Sequence, residues 1–294
     1  MTFERTIGAA LRMSVSVEAF AALGAELRLR QAGLAGDPRT RELLRDVVRA
    51  IDPQLLDDPG ERDATTIAFI QTVLRQALDL LERPERSPGW DYLDPVLLQA
   101  QGQLSGVVVR GIGASLTRLH ELGKTLQRPG TFLDIGTGVG WLAIEVARAW
   151  PAMRVVGIDP WEPALVLARE NLAQSEVADR VELRMQHVEQ LDEVPTFAVV
   201  WLPGPFIARE IADRVLARIR AVLAPGGWLI FGLNAVPPGP LERALASLRT
   251  ARSGGHLWDA AEVEERLRAL DFSDIETFPT ALPIQLVIGR RSRE

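Results

Sequence analysis

The segment Thr131-Phe-Leu-Asp134-Ile-Gly136-Thr137-Gly138-Val-Gly140-Trp141 limits the fold more than any other stretch of this chain. It begins as an apolar strand-like run and ends in a helical pattern. Three glycines at two-residue spacing join the two. Glycines there let the main chain turn tightly and let a ligand come close to it. A helix entered straight from such a turn presents unpaired N–H groups to an anion. Nineteen residues after Gly140, the next apolar run (Val155-Val-Gly-Ile-Asp159) ends in a carboxylate. A carboxylate at that place suits a pair of ribose hydroxyls.

Downstream of residue 129, short apolar runs alternate with amphipathic stretches. The runs predict seven strands: Thr131–Ile135, Arg154–Ile158, Val181–Met185, Phe197–Leu202, Trp228–Phe231, Phe272–Phe278 and Ile284–Ile288. Helices are expected over Trp141–Ala149, Pro163–Ala173, Ile211–Val222, Leu241–Thr250 and Asp259–Leu270. Strands and helices in turn imply an α/β fold: a Rossmann-like, seven-stranded, mostly parallel sheet covered on both faces. Only Pro279–Pro283 separates the last two strands, too short for a parallel crossover, so that pair is expected to be antiparallel. Upstream, the chain reads as helix after helix: Val17–Leu29, Pro38–Ile51, Asp63–Leu81, and Val96–Leu126 with a break near Gly111–Gly113. A breaker segment, Glu82–Pro95, interrupts this series. The expected division is an all-helical domain over 1–105 and the sheet domain over 106–294.

Composition removes several classes of function. The chain has no cysteine, which excludes disulfides, thiolate metal sites and cysteine nucleophiles. His120, His187 and His256 stand far apart, so no metal cluster is expected. The net charge of −6, with Lys124 the one lysine, does not suit nucleic-acid binding, which needs a basic surface. No run approaches the ~18 apolar residues of a bilayer span, and the early charges of the N-terminus do not suit a signal peptide. A cytoplasmic protein with no membrane partner is therefore expected.

Dinucleotide sites use G-x-G-x-x-G. Here the spacing is G-x-G-x-G, with an acidic residue two places before it, which argues against a nicotinamide-linked oxidoreductase. The segment Asp134 to Gly140 resembles the D-x-G-x-G-x-G signature of class I S-adenosylmethionine-dependent methyltransferases. Asp159 and the turn Leu223-Ala-Pro225-Gly226-Gly227 fall in the order that family shows, and the antiparallel closing pair fits it too. The resemblance covers roughly residues 115–294. The N-terminal helices, with Trp90-Asp-Tyr92-Leu-Asp94-Pro95 and Leu97-Leu-Gln99-Ala-Gln101, look more loosely like the helical cover of bacterial small-molecule methyltransferases.

The resemblance implies S-adenosyl-L-methionine as cofactor and a small-molecule acceptor methylated on O, N or C. Asp134, Gly136, Thr137, Gly138 and Gly140 would surround the amino-acid end of the cofactor, with Asp134 toward its ammonium. Asp159 would hold the ribose. Pro160 and Trp161 would pack on the adenine, although Trp161 also suits a core position. Gln186, His187 and Val188 stand where many relatives carry an acidic residue for the adenine amino group; His187 either accepts that bond or is an exposed loop residue. Trp201 is assigned to the cofactor side of the fourth strand. Tyr92, Pro203, Phe206 and Asn234 are assigned to the acceptor, although Trp201 and Phe206 also suit plain packing. His256, in the loop Ser253-Gly254-Gly255-His256, is the candidate general base. Asp94 either lines the cover or caps a helix, and His120 is expected to be structural. The helical domain would cover the site and is a candidate for homodimerisation. Strand four has Phe197-Ala198 where relatives often show Phe-Asp. That missing acid keeps open a catalytically inactive binding or scaffold protein.

Overall fold

The computed structural model describes residues 2–57, 60, 63–192, 194–235, 238–279 and 284–293. The chain divides into two compact units, Met1–Pro84 and Glu85–Glu294. The division falls earlier than the 105/106 boundary that composition suggests. Residues 85–105 belong with the second unit, where Leu97 and Leu98 cluster with Val139 and Ala164 and Gly102 meets Val139 and Trp141.

The first unit is helical. Its helices are α1 (Thr2–Gln31), α2 (Pro38–Ile51) and α3 (Asp63–Glu82). Pro38 opens α2, and the Asp37 carboxylate caps it by accepting from the Thr40 N–H at 2.8 Å. Gly24 lets α1 approach α3, since a Cβ there would lie 3.1 Å from Ile70 Cγ2. Glu26 is buried on α1 and is matched by Arg41 and Arg45 of α2, the latter at 3.0 Å. Removing one partner would strand a buried charge, so this set pins α2 to α1.

The expectation that no uninterrupted apolar run reaches the length of a bilayer span holds for α1, but its windowed hydropathy is high. Its stretch Phe3–Gln31 is long and apolar enough, by length and composition, to cross a membrane, with mean hydropathy 1.3 in its best window. Arg12 and Glu18 interrupt the apolar residues, and the average stays high in spite of them. Phe3, Ile7, Leu11 and Val15 recur at four-residue spacing and are exposed.

The second unit starts with α4 (Pro95–Gln103), α5 (Ser105–Ser115) and α6 (His120–Leu126). Here the expected break near Gly111–Gly113 is corrected. The helix breaks after Gln103 and after Ser115, while Gly111 is buried inside α5. There follow β1 (Gly130–Ile135), α7 (Trp141–Ala149), β2 (Met153–Asp159), α8 (Glu162–Ala173), β3 (Val181–Met185), β4 (Phe197–Pro203) and α9 (Ala212–Val222). The unit closes with β5 (Leu223–Asn234), α10 (Pro240–Arg252), α11 (Ala260–Ala269), β6 (Phe272–Pro279) and β7 (Ile284–Arg291).

The seven strands form one sheet of order β3-β2-β1-β4-β5-β7-β6. Strands β1 to β5 pair in parallel, and β7 runs antiparallel to both β5 and β6. The link between β6 and β7, residues 280–283, lies outside the described residues. β5 is longer than expected because Leu223 already pairs with Phe197, and the Pro225-Gly226-Gly227 turn is absorbed as an irregularity before Trp228 pairs with Val199. Alternation along the strands sends Phe132, Val199 and Ile230 to a core shared with α5, α6 and α7. Leu133, Val200 and Leu229 face α9 and α11.

Helix α4 lies hard against the glycine turn. A Cβ on Gly102 would sit 2.2 Å from Val139 Cγ2 and 2.9 Å from the Trp141 ring. Val139 is stiff and buried, so neither neighbour can give way cheaply. Gly102→Ala is therefore expected to lower the unfolding free energy by about 1–3 kcal/mol. Urea denaturation of both proteins checks this; an unchanged midpoint would show that α4 can lift off the turn at no cost.

Candidate active site

The turn between β1 and α7 is held from below and from the side. The Gly136 and Thr137 N–H groups both donate to the Ile158 carbonyl of β2, at 2.9 and 3.0 Å. Gly138 and Gly140 have φ of +55° and +81°, a region open to glycine and costly for other residues. Gly140 also sits 3.2 Å, measured from a would-be Cβ, from Ala168 of α8. The turn thus keeps its main chain exposed at Gly136 and aims the first N–H groups of α7 along the end of the sheet.

Two carboxylates organise this end. Asp159 accepts from the Gly138 N–H at 2.9 Å with one oxygen and from the Trp161 N–H at 2.8 Å with the other. It therefore ties the turn after β1 to the turn after β2. Asp134 is fully buried, and one of its oxygens accepts from the Thr137 hydroxyl at 2.7 Å. Its other oxygen, Oδ1, is buried with no hydrogen-bond partner. Burial pushes the Asp134 carboxyl up to about 7; the Thr137 hydroxyl opposes this, the Asp159 charge adds to it and the Ala143 amide opposes it. Burial also raises the Asp159 carboxyl, against the Trp161 and Gly138 amides and the nearby His187. An orphaned, buried carboxylate oxygen beside a second carboxylate calls for a cation or a donor. An ammonium at Asp134 and a pair of hydroxyls at Asp159 meet that need, so the residues fit the cofactor class that the motif implies.

Residues 85–103 form a strap across the same end. Trp141 Nε1 donates to Gln99 Oε1 at 2.8 Å, and Asn171 Nδ2 donates to the Val139 carbonyl at 2.8 Å. Trp161 Nε1 donates to the Tyr92 carbonyl at 2.9 Å. Trp161 is half-buried against the Tyr92 cluster, so it is both packed and adjacent to Asp159. Asp94 caps α4 by accepting from Val96 N–H at 2.9 Å, which settles its role as a cap.

At the ends of β4 and β5, Trp90 stands edge-on to Tyr92 and to Phe206, with ring centroids 4.9 and 5.1 Å apart. Phe206 belongs to a short turn, Gly204–Phe206. The loop carrying His256 presses on that turn: a Cβ on Gly255 would lie 1.8 Å from the Pro205 carbonyl oxygen. His256 lies edge-on to Trp258 at 4.7 Å, and its Nε2 is 3.6 Å from Glu262 Oε2. Trp258 Nε1 in turn donates to the Gly204 carbonyl at 2.9 Å.

The remaining expected residues fall in different places. Pro160 is exposed beside Asp159, and Pro203 packs against Gly136. Trp201 is 7% exposed, lies in the core with Trp228 and Ile230, and rests on Gly232, so its surroundings match the packing alternative. It pairs opposite Asp134 across β1 and β4. His187 caps the turn Val188–Gln190 by mutual hydrogen bonds with Gln190, and Gln186 N–H donates to the Asp159 carbonyl at 3.1 Å. Asn234 is exposed at the end of β5. His120 is exposed and starts α6 instead of packing; with Leu116, Gly123, Lys124 and Gln127 it lines an open groove of about 500 Å³ that shares no residue with the site. Among the described residues no group of His, Asp or Glu is placed to hold a metal ion. Sequence reasoning missed Arg86, Trp90, Asn171 and Glu262. The first two lie in a segment dense in proline and charge, where periodicity has nothing to report.

Comparison with known proteins agrees with this geometry. Residues 132–227 match a family model described as a methyltransferase domain. The chain is 32% identical over 112 residues to a release factor glutamine methyltransferase of Rhodopirellula baltica, covering 37% of this chain and 38% of the relative. It is 34% identical over 122 residues to a ubiquinone/menaquinone biosynthesis C-methyltransferase of Geobacter sulfurreducens, covering 40% and 47%. The chain thus spans less than half the length of these curated relatives. Among solved structures, human N-acetylserotonin methyltransferase in complex with S-adenosylmethionine shares the fold, with TM-score 0.67 at 16% identity over 99% of this chain and 98% of that one. An O-methyltransferase family protein of Burkholderia thailandensis does so with TM-score 0.64 at 14% identity over 97% and 98%. Residues 132–227 therefore match a methyltransferase domain, and the chain shares its fold with these solved structures.

The buried Asp134 has a consequence for stability. Its native carboxyl keeps a proton up to about pH 7, whereas the unfolded one releases it near the ordinary value of 3.8. The native chain binds more protons in that window, so this contribution falls as pH rises from about 4 to about 7 and is flat above it. Relative to Asp134→Asn, the wild type should lose up to roughly 4 kcal/mol of unfolding free energy across the window. Urea titrations from pH 4.5 to pH 8 read this difference; parallel curves would show that the carboxyl is not perturbed.

Proposed function

We propose that the protein transfers a methyl group from S-adenosyl-L-methionine to a small-molecule acceptor. The observation that supports this most directly is the orphaned Asp134 Oδ1 beneath a glycine turn whose neighbour, Asp159, is already oriented by two amides. When bound, the cofactor supplies a methyl carbon made electrophilic by its sulfonium. Asp134 would hold the cofactor's ammonium, and the first N–H groups of α7 its carboxylate. The Asp159 oxygens retain acceptor capacity for the ribose hydroxyls. Pro160, Trp161, Gln186, His187 and Val188 would border the adenine.

The acceptor side is proposed to lie between Trp90, Tyr92, Phe206 and Pro203. Aromatic walls exclude water and orient a flat acceptor, and orientation supplies much of the rate in an in-line displacement. His256 would take the acceptor's proton at Nδ1 while Nε2–H stays directed at Glu262. An imidazole suits an acidic O–H, so hydroxyl acceptors are the first class to screen. The net charge of −6 favours a small acceptor over a nucleic acid.

Titration calorimetry with S-adenosylhomocysteine tests the cofactor site. Micromolar or tighter binding is expected, weakened about tenfold or more in Asp159→Ala. Absence of binding by the wild type would sink the enzyme reading and favour a scaffold. In an acceptor screen, His256→Ala should lower kcat about a hundredfold without changing S-adenosylhomocysteine affinity.

For the helical unit we propose self-association along the exposed stripe Phe3, Ile7, Leu11 and Val15 of α1. Sedimentation velocity should show a dimer that Leu11→Glu converts to monomer; a wild-type monomer at all concentrations would overturn this.

A further inference from the structure

Arg86 lies outside every motif discussed so far, yet its guanidinium is buried, with a side-chain exposure of 6%. It donates to the Gly89 carbonyl at 2.8 Å, to the Arg252 carbonyl at 3.2 Å and to the Tyr92 hydroxyl at 3.3 Å, and it pairs with Asp91. Its Cζ also stands 4.8 Å over the Tyr92 ring. The Arg252 carbonyl takes a second bond, from the Gly89 N–H at 2.9 Å. Gly254 then passes so close that a Cβ on it would lie 3.3 Å from Gly89 Cα. Arg86 therefore fastens the strap to the loop that begins at Arg252 and carries His256.

The other end of the strap is fastened to the cofactor carboxylate. The Tyr92 carbonyl accepts from Trp161 Nε1, and the Trp161 N–H donates to Asp159. One chain of contacts thus runs from Asp159 through Trp161, Tyr92 and Arg86 to Arg252. Order imposed at either end lowers the entropic cost of order at the other.

We propose that Arg86 is a positioning residue that couples cofactor binding at Asp159 to closure of the 252–256 loop over the acceptor end of the sheet. This rests on the methyltransferase reading. Arginine is needed because four acceptors and a ring face are met by one planar fork; lysine keeps the charge but not the fork. Linkage is reciprocal, so the factor by which the cofactor stabilises the closed loop equals the factor by which the closed loop raises cofactor affinity.

The experiment is amide hydrogen exchange on the full chain, free and with saturating S-adenosylhomocysteine, alongside calorimetry. In the wild type, exchange at Gly254, Gly255 and His256 should slow about tenfold on binding. Arg86→Lys should lose the induced slowing at Gly254, Gly255 and His256, with affinity lower by the same factor, whatever its free-state exchange. A merely structural arginine would instead shift the free state and leave the induced slowing in place. If Arg86→Lys does not fold, Trp161→Phe breaks the chain at another link and should likewise lose the slowing. Slowing confined to residues 134–161 in the wild type, or slowing unchanged in either variant, overturns the coupling alone. No binding by the wild type overturns the coupling together with the methyltransferase reading.

Discussion

The site depends on one carboxylate shared between two turns. Asp159 ends β2, yet one of its oxygens holds the Gly138 amide of the turn after β1 and the other holds the Trp161 amide of its own turn. It adds a side-chain tie to those of the Gly136 and Thr137 amides, which already bond the Ile158 carbonyl of β2. Bridging the two turns fixes the spacing between the glycine turn and the start of α8. Burial makes this carboxylate costly, and the two amides offset that cost. Asp134 lies behind it with half its hydrogen-bonding capacity unused, so the pair of acids is stable only in part until something cationic arrives.

Close backbone approach does the rest. Gly102 admits α4 onto Val139 and Trp141, and Gly255 admits the His256 loop onto Pro205. Each lacks a side chain at a point where two segments distant in sequence touch. Packing of this kind tolerates little change in volume. It brings the strap, the Gly204–Phe206 turn and the late loop together around Trp90 and Phe206, so the aromatic wall has three independent supports.

The strap also explains why the second unit begins at Glu85. Arg86, Trp90, Tyr92 and Gln99 each make a bond or ring contact with a residue of that unit outside the strap, or with one another. Their sequence has no periodicity, because the segment is shaped by what it touches.

The sheet was legible in the sequence. Period-two burial and turn chemistry are local properties, and the expected strand Val181–Met185 and helix Trp141–Ala149 match the observed elements at both ends. The glycine turn, Asp134 and Asp159 were legible for the same reason: a tight turn into a helix leaves few residue types able to serve. Other features had to wait for tertiary structure. By sequence Trp201 suits either the cofactor side or plain packing, and the fold packs it with Trp228 and Ile230. His187 caps the Val188–Gln190 turn with Gln190, a local bond that its spacing from Asp159 does not announce. Arg86 and Glu262 gain their partners from segments far along the chain, a relation that spacing does not encode. Local sequence determined which elements form and where the glycine turn lies; only the packing of distant segments decided what encloses it, because a contact between remote residues is a property of the fold and not of either stretch.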